Sequence, residues 1–328
     1  MKLKSQIIIK TSVLGLLSLI FFSCTGETSV TVIKLAHVLD TSHPVHKGME
    51  VMARLVEEKS GGKMRVDIYP SGQLGQERDM IELLQIGSLA MTKVSTAPLE
   101  AFVPEMKIFG VPYVFRDDEH RWKVLKSSIG KRLLLSGQKH FLRGMCYYDA
   151  GSRSFYTKEK PILKPEDLKG MKIRVMKSIT AVEMVQSLGG SATPIPWGEL
   201  YTALQQGVVD GAENNPPSFY LSRHYEVCKY YCLDEHTAVP DILLMSTVVW
   251  NNLTEQEQVW LQEAVDESVE VQKILWKEAS EHALAEVQKA GVEIIYPDKE
   301  PFRNAVKSMH ESYRGTVIYD LIQEIAAL

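Results

Sequence analysis

The sequence is poor in cysteine and has no long apolar run after its first 22 residues. Its four cysteines are Cys24, Cys146, Cys228 and Cys232. Setting Cys24 aside, the other three cannot all pair within one chain, so at least one stays a free thiol unless it pairs between chains. A chain of 328 residues does not need a disulfide scaffold. We therefore expect hydrophobic cores to hold the fold together.

The sequence also lacks an excess of basic residues, internal repeats and low-complexity segments. Its 37 basic and 41 acidic residues give a net charge of -4. A nucleic-acid partner normally requires a clustered positive charge, so we expect none. A chain of 328 residues is long enough for two domains of ordinary size.

Residues 1–24 are predicted to be a signal peptide. A lysine-containing start precedes the apolar run 13–22, and no acidic residue occurs before Glu27. Such a run is too short to span a bilayer stably. It ends in a loose lipobox, so Cys24 could be lipidated after cleavage; ordinary cleavage near Ser23 is the alternative. We expect an exported, periplasmic protein that is either soluble or anchored through Cys24.

Alternating strands and helices predict an α/β fold for the first half of the mature chain. The predicted elements are a strand at 32–37, a helix at 45–60, a strand at 65–69, a helix at 76–85 and a strand at 89–93.

Residues 171–215 predict a second α/β unit with a binding site. Strands at 171–175 and 208–210 are connected by two helices, and glycines follow each helix. This arrangement indicates a parallel sheet, in which ligands bind beyond the carboxyl ends of the strands. Arg174, Trp197 and Asn214 lie at or just beyond such ends.

Residues 255–290 contain no glycine and no proline, which predicts one long helix. Thr254 and Glu257 form a capping box, and Gly291 is a stop signal. At 1.5 Å per residue the helix would be about 54 Å long. Two helices that meet at a kink are the alternative. The predicted apolar stripe comprises Val259, Val265, Val269, Ile274, Leu275, Ala279, Ala283, Leu284 and Val287.

Ordered motifs in both halves resemble those of the solute-binding proteins of TRAP transporters, the DctP family, which capture organic acids in the periplasm. In the second half they are Gly151-Ser152-Arg153, Pro161-Ile162, Asp167-Leu168-Lys169-Gly170, Lys172-Ile173-Arg174-Val175 and the run from Asp210 to Asn214. In the first half they are Pro70-Ser71-Gly72-Gln73-Leu74-Gly75 and Phe109-Gly110-Val111-Pro112-Tyr113. The resemblance covers residues 31–325.

The resemblance implies a two-lobed α/β fold of the class II periplasmic-binding-protein type with a long interdomain helix. Lobe I would comprise 31–150 and 240–279, and lobe II 151–239 and 280–328. Helix 255–290 would bridge the lobes and couple them during closure. The implied protein is a receptor without a cofactor or catalytic activity, and a monomer is the default expectation. It would deliver its ligand to the small and large membrane subunits of a TRAP permease.

The resemblance also assigns ligand contacts in lobe II. Arg174 would clamp a ligand carboxylate, because a guanidinium presents a planar fork of donors. Arg153 would hold another ligand oxygen or a bridging water, and Asn214 would bond the ligand. Trp197 would cover an apolar face of the ligand. The alternatives are a surface position for Arg174, a solvated loop charge for Arg153 and a core position for Trp197.

Further site residues are predicted more from position than from chemistry. In lobe I we expect Glu77 to accept from ligand hydroxyls, although a helix-dipole role is the alternative. Ser95 stands where sialic-acid-selective members have an acidic residue, which argues against that ligand. His37 could reach the cleft or stay in the core. Asn215 is predicted to contact the ligand, and Glu213 and His236 are predicted to act indirectly. The alternative for Asn215 and Glu213 is a position in a strained, left-handed turn.

A metal site is not predicted. His224, Cys228, Cys232 and His236 recur every four residues, which would form a metal-binding stripe on a helix. Residues 227–233 favour a strand instead, on which residues four apart lie about 13 Å from each other.

One dominant arginine beside several hydroxyl-matching groups favours a sugar acid with one carboxylate. The run Ala212-Glu213-Asn214-Asn215 resembles members that bind hexuronates, so glucuronate or galacturonate is the leading hypothesis. A four-carbon dicarboxylate, with Arg153 on the second carboxylate, is the alternative. A secreted lyase or hydrolase using Glu77 and His37 lacks a recognisable catalytic motif. A scaffold protein without a small ligand is the third alternative.

Overall fold

The computed structural model describes residues 30–328, so the predicted signal peptide and Cys24 lie outside the described residues. The strands in this range are β1 Thr31–Ala36, β2 Met64–Tyr69, β3 Met91–Ser95, β4 Leu142–Tyr148, β5 Arg153–Thr157, β6 Lys172–Val175, β7 Ser191–Pro194, β8 Gly211–Asn214, β9 Tyr230–Thr237, β10 Asp241–Ser246 and β11 Glu293–Ile295.

Helices of very different lengths flank these strands. The α-helices are α1 Pro44–Ser60, α2 Glu77–Gln85, α3 Thr96–Leu99, α4 Asp118–Lys126, α5 Ser128–Leu135, α6 Ile179–Ser187, α7 Leu200–Gln205, α8 Pro216–Leu221, α9 His224–Val227, α10 Thr247–Trp250, α11 Glu255–Lys289, α12 Glu300–Ala305, α13 Lys307–Ser312 and α14 Val317–Ala326. Short 3-10 helices cover Pro104–Gly110, Ser136–His140, Pro165–Leu168 and Trp197–Glu199.

Two mixed sheets form the centres of two lobes, which confirms the predicted architecture. The sheet of lobe I has the order β2-β1-β3-β10-β4, and that of lobe II has the order β11-β9-β5-β8-β6-β7. In lobe I, β1 runs parallel to β2 and β3, whereas β10 is antiparallel to β3 and β4. In lobe II, β6 runs parallel to β7 and β8, whereas β5 is antiparallel to β8 and β9.

The chain crosses between the lobes where an antiparallel strand of one sheet leads into the other sheet. One crossing connects β4 to β5, and the second connects β9 to β10. Both crossings pass behind the carboxyl ends of the parallel strands. The loops that follow β1, β3, β6 and β8 therefore face each other across one cleft.

Two strand predictions in this region were displaced. Residues 208–210 are an irregular connection, and the strand that follows is β8, Gly211–Asn214. Strand β3 covers Met91–Ser95, whereas the predicted strand covered residues 89–93. Strand β7 was not predicted, because Ser191–Pro194 is a short, mostly exposed edge strand without apolar alternation. Parallel pairing with β6 stabilises β7, and a proline such as Pro194 is tolerated in an edge strand.

Helix α11 is one continuous helix of 35 residues, so the kinked alternative was wrong. The predicted capping box between Thr254 and Glu257 is present. The helix packs against α1 and β4 in lobe I and against α8 in lobe II, and thus bridges the lobes as predicted. Neither α11 nor any other helix within residues 30–328 is long and apolar enough to cross a membrane.

The buried face of α11 differs in part from the predicted stripe. Val259 and Ile274 are 47% and 61% exposed, whereas Ser268 and Gln272 are fully buried. Both polar side chains have partners, because Ser268 bonds the hydroxyl of Tyr148 and Gln272 bonds the backbone of Asp149. A stripe chosen by apolar character alone therefore missed the centre of the bridge.

The carboxyl-terminal helix belongs with lobe I, not with lobe II as predicted for residues 280–328. Helix α14 packs against the 3-10 helix Pro104–Gly110. Its apolar residues Ile318 and Ile325 are buried, and the carbonyl of Ile325 lies 3.0 Å from Nε2 of His120. The amphipathic pattern of α14 specifies a buried face, but not which lobe covers it.

Candidate ligand-binding site

A cavity lies between the lobes at the carboxyl ends of the parallel strands. Seven of the eight predicted ligand-binding residues line it: Glu77, Ser95, Arg153, Arg174, Trp197, Asn214 and Asn215. The other lining residues are Val38, Leu39, His43, Lys93, Ala150, Met176, Ser218, Val239 and Asp241. The cavity therefore combines one polar wall from each lobe.

Arg174 is the cation with the least satisfied surroundings at this site. It lies on β6 and is 1% exposed, so the surface alternative was wrong. Its Nε donates to the carbonyl of Ile195 at 2.8 Å, but Nη1 has no hydrogen-bond partner within residues 30–328. Burial lowers the pKa of Arg174 below its ordinary value. A buried donor without a partner is costly, so this guanidinium favours an anion in the cavity.

Arg153, in contrast, is already neutralised within the protein. Its Nε and Nη2 donate to the carboxylate of Glu213, and Nη2 also donates to the Glu213 carbonyl at 2.7 Å. Its Nη1 donates to Oδ1 of Asn214 at 2.8 Å. Arg153 is the first residue of β5 and is buried, so the solvated-loop alternative was wrong.

Glu213 and Asn215 occupy regular positions rather than the left-handed turn considered as an alternative. Glu213 lies in β8, and Asn215 is the N-cap of α8 with a φ of -85°. Oδ1 of Asn215 accepts from the N–H of Ser218 at 2.9 Å. The cap fixes the Asn215 side chain at the mouth of a helix that lines the cavity.

His236 contacts Asp234 and Glu213 and does not line the cavity. Its Nδ1 is 2.8 Å from Oδ2 of Asp234, and its Nε2 is 3.7 Å from Oε2 of Glu213. Burial alone would lower the pKa of His236, but Asp234 and Glu213 raise it to about 9. Burial alone would likewise raise the pKa of Glu213, but Arg153 and His236 lower it to about 2. Both groups are therefore charged near neutral pH.

Trp197 borders the cavity from the start of the 3-10 helix that follows β7. It is half-buried, so it is not the enclosed core tryptophan of the alternative. Its indole meets the ring of His224 edge-on at 5.5 Å between centroids. Nδ1 of His224 is in turn 2.9 Å from the hydroxyl of Tyr156. These contacts hold the indole at the wall of the cavity.

Lobe I contributes an ion pair, Lys93 with Asp241, that sequence reasoning missed. The Nζ of Lys93 lies 3.1 Å from Oδ1 of Asp241 and 3.7 Å from Oε1 of Glu77. The same oxygen of Glu77 accepts from the N–H of Ser95 at 2.8 Å. Burial raises the pKa of Glu77, against the opposing effect of Lys93. A lysine inside a buried strand was the available signal, since buried lysines are nearly always paired.

Direct contacts join the lobes across the cleft, and two of them lie beside the cavity. Nε2 of His43 lies 3.3 Å from Oγ of Ser218, and Oε1 of Gln76 accepts from the N–H of Gly198 at 3.3 Å. None of these four residues was predicted as a site residue. Because each contact joins residues of different lobes, the structure represents a closed arrangement.

His37 does not line the cavity. It is fully buried, its Nε2 lies 2.9 Å from Nδ1 of His46, and its Nδ1 accepts from the N–H of Leu39. Both ring nitrogens are therefore occupied within lobe I, which corresponds to the core position considered as the alternative.

Three of the four residues of the considered metal stripe have separate side-chain partners. His224 lies in α9 and bonds Tyr156, whereas Cys232 accepts from the N–H of Ile162 and His236 bonds Asp234. The strand expected over residues 227–233 begins only at Tyr230. Within the described part of the chain, no group of three or more potential ligands could hold a metal ion. The three cysteines of that part are buried free thiols.

Comparisons with known proteins agree with the two-lobed fold. The family model of the bacterial extracellular solute-binding proteins, family 7, matches residues 35–316. An uncharacterized protein of Salmonella typhimurium is 39% identical over 320 residues, which cover 97% of both chains.

Two solved structures are similar over most of the chain. A TRAP periplasmic solute-binding protein from Bradyrhizobium sp. BTAi1, in complex with α/β-D-galacturonate, is 39% identical with a TM-score of 0.88 and covers 90% of this chain and 99% of its own. Another from Pseudomonas putida F1, with bound D-glucuronate, is 37% identical with a TM-score of 0.87 and covers 90% and 97%.

Proposed function

The chain belongs to the bacterial extracellular solute-binding proteins of family 7, the family of TRAP solute receptors, and on that premise we propose that it binds a hexuronate between its lobes. D-Glucuronate and D-galacturonate are the expected ligands, because similar solved proteins hold them. Binding would stabilise the closed arrangement, since the ligand contacts both lobes at once.

The observation that carries the proposal is the buried guanidinium of Arg174. Its Nη1 is without a hydrogen-bond partner within residues 30–328 and belongs to a side chain that lines the cavity. A ligand carboxylate would satisfy this donor and balance the charge, and such charge-assisted bonds are worth roughly 1.5–3 kcal/mol each. We propose that Arg174 binds the carboxylate of the sugar acid.

The state of Arg153 favours one ligand carboxylate over two. A dicarboxylate would need a second cation, but Glu213 already neutralises Arg153 and Asp241 already pairs with Lys93. Arg153 instead holds Oδ1 of Asn214, which leaves the amide nitrogen of Asn214 to donate to a ligand oxygen. Asn215 in lobe II, and Ser95 and Glu77 in lobe I, add polar groups to the two walls that suit ligand hydroxyls.

The enzyme alternative loses its proposed acid–base pair. Glu77 lines the cavity, but both ring nitrogens of His37 bond other residues of lobe I. General acid–base catalysis requires both groups within reach of the substrate. We propose a receptor that releases its ligand unchanged.

Delivery completes the proposed role. The closed form would dock on the small and large membrane subunits of a TRAP permease, which would accept the ligand as the lobes open. The family is extracytoplasmic, and we propose that the mature chain is held at the membrane through a lipid on Cys24. Mass spectrometry of the membrane fraction tests the anchor, and an unmodified mature amino terminus after Ser23 would overturn it.

Thermal unfolding and calorimetry of the mature protein test the ligand. We expect D-glucuronate or D-galacturonate, at one hundred times the dissociation constant, to add about 2.7 kcal/mol of stability. D-Glucose and D-galactose, which lack the carboxylate, serve as matched controls and should not bind. Stabilisation by succinate or malate alone would overturn the hexuronate proposal but keep the receptor. No effect of any acid would overturn both.

A further inference from the structure

A second cavity, of about 300 Å³, lies on the other side of the two crossings from the ligand cavity. Arg153 and Val239 line the ligand cavity, whereas their chain neighbours Ser152 and Ala238 line the second cavity. Within the described residues the two cavities share no lining residue. We call the second cavity the back pocket; lobe I lines it with residues 113–118 and Arg121, and lobe II contributes Lys299 and Arg303.

Resting on the receptor function proposed above, we propose that the back pocket binds a small oxyanion, such as phosphate, and that the bound anion stabilises the closed arrangement of the lobes. The anion would raise the affinity of the ligand cavity for its acid without entering that cavity. The back pocket would thus be a regulatory site, separate from the site of the transported ligand.

Cationic side chains from both lobes meet at the back pocket. Arg116 and Arg121 come from lobe I, and Lys299 and Arg303 from lobe II. Three acidic residues also line the pocket, so basic side chains are in excess. His236, which is charged near neutral pH, adds a further positive charge. Arginine-rich pockets suit oxyanions, because each guanidinium presents a planar fork of donors.

Two of these arginines have donors to spare. Arg116 donates from Nη1 to the carbonyl of Ala326 at 3.2 Å and has no carboxylate partner within residues 30–328. Arg303 lies 3.7 Å from an exposed carboxylate of Glu300, in a pair that solvent weakens. Arg116 belongs to lobe I and Arg303 to lobe II, so one anion that accepts from both would bridge the lobes.

Arg121 is the buried donor of the back pocket. It is 2% exposed, and its Nη2 donates to Oδ1 of Asp149 at 2.8 Å. Its Nη1 makes no hydrogen bond within residues 30–328, although Oδ1 of Asp118 lies 2.9 Å away. A buried donor without a hydrogen-bond partner is costly, so Nη1 favours an acceptor in the pocket.

Tyr113 holds lobe I against lobe II at the wall of the back pocket. Its N–H donates to the carbonyl of His236 at 2.8 Å, and its hydroxyl donates to the carbonyl of Asp234 at 3.1 Å. The guanidinium of Arg303 lies over its ring, 5.4 Å from the centroid. Its φ of 54° is costly for a residue other than glycine. Strained backbone of this kind concentrates at functional sites and switch regions.

The position of the crossings between the two cavities gives the direction of the regulation. Rotation of the lobes about the crossings would change the two cavities in opposite senses. Opening of the ligand cleft would narrow the back pocket, so an anion that fills the back pocket would resist opening. Coupling between two sites is reciprocal, so a hexuronate would raise the affinity for the anion by the same factor.

Calorimetry of the mature protein with inorganic phosphate, at constant ionic strength, tests the back pocket directly. We expect saturable binding in the absence of any sugar acid. Arg116→Gln and Arg303→Gln should each weaken it by at least about tenfold, the equivalent of one lost hydrogen bond between charged groups. The exposed Arg54→Gln on α1 is the matched control and should change nothing. Arg174→Met should also keep phosphate binding, because Arg174 lines the ligand cavity.

The affinity for D-glucuronate or D-galacturonate, measured with and without saturating phosphate, tests the coupling. Phosphate should raise the affinity at least about fivefold, the lower end of the usual range of coupling. The gain should be lost in Arg116→Gln and Arg303→Gln. Without phosphate, both variants should bind the acid as the wild type does, because neither arginine lines the ligand cavity.

The outcomes separate the back pocket from the function on which its role rests. Absence of saturable phosphate binding, or equal binding by both arginine variants, would overturn the back pocket. Loss of phosphate binding in Arg174→Met would place the anion in the ligand cavity and overturn it as well. Phosphate binding without a gain in hexuronate affinity would overturn the coupling. If the wild type binds phosphate through Arg116 and Arg303 but binds no uronic acid, the proposed function fails and the anion site stands.

Discussion

Arg153 donates from Nη1 to Oδ1 of Asn214 at 2.8 Å, and this contact orients the Asn214 amide at the cavity. The same oxygen accepts from the N–H of Asn215 at 2.9 Å. With its oxygen occupied twice, Asn214 presents its nitrogen to the cavity as a donor. We therefore propose that Arg153 acts on the ligand through Asn214, rather than as a second direct contact as the sequence predicted.

Asn214→Asp should abolish binding without unfolding the protein. The aspartate would still accept from Arg153, but it would offer no donor and would place a negative charge near the ligand carboxylate. We expect the affinity for hexuronates to fall by at least about 100-fold, which corresponds to about 2.7 kcal/mol. Calorimetry measures the loss, and Asn304→Asp on an exposed helical position is the matched control. Retained affinity would show that Asn214 does not donate to the ligand.

Arg174→Met should weaken ligand binding without destabilising the unligated protein. Two lost charge-assisted hydrogen bonds of roughly 1.5–3 kcal/mol each predict a loss of affinity of about two to four orders of magnitude. The unligated protein should be equally stable or more stable, because a desolvated, incompletely bonded cation is removed. Urea unfolding and calorimetry test both statements, with the exposed Arg78→Met as control. If Arg174→Met lowers the free energy of unfolding of the unligated protein by several kcal/mol, Arg174 has a structural role instead.

His236 should make stability depend on pH on the alkaline side of neutrality. Its pKa is raised from 6.5 to about 9 in the folded state, so it stabilises the fold fully below pH 6.5. This contribution, on the order of 3 kcal/mol, is lost as pH rises through the folded pKa.

Urea unfolding at pH 6 and pH 8.5 measures this loss. His236→Gln should be less stable at pH 6 and should show a flatter slope in that window. His37, His43 and His224 have lowered pKa values, so their contributions change below pH 6.5 instead. An unchanged slope in His236→Gln would contradict the prediction.

Gly48→Ala should destabilise the bridge between α1 and α11. Alanine ordinarily stabilises a helix relative to glycine, but a Cβ at position 48 would lie 2.7 Å from Cγ of Gln272. Gln272 cannot move freely because it bonds both the N–H and the carbonyl of Asp149. We expect a loss of about 1–3 kcal/mol in urea unfolding. The exposed Lys47→Ala should change stability by less than about 0.5 kcal/mol, and a stabilised Gly48→Ala would contradict close packing.

Local patterns predicted most of the elements, and their failures have physical causes. The continuous run at α11 and its Thr254 cap were predictable because helix formation and capping depend on neighbours within a few residues. Strand β7 was not, because its hydrogen bonds come from β6 rather than from its own composition. The lobe that covers α14 was also mispredicted, because amphipathicity specifies a buried face but no partner.

The sequence by itself determined the fold class, the family and seven residues of the cavity wall, because motif order and strand ends are encoded locally. Only the tertiary structure decided which charges are free. It pairs Arg153 with Glu213 and Lys93 with Asp241, leaves Arg174 with an unsatisfied donor in the described chain, and turns His37 away from the cavity. Sequence reveals the type of each side chain, but its partners and its burial depend on long-range strand register and on how the two lobes meet.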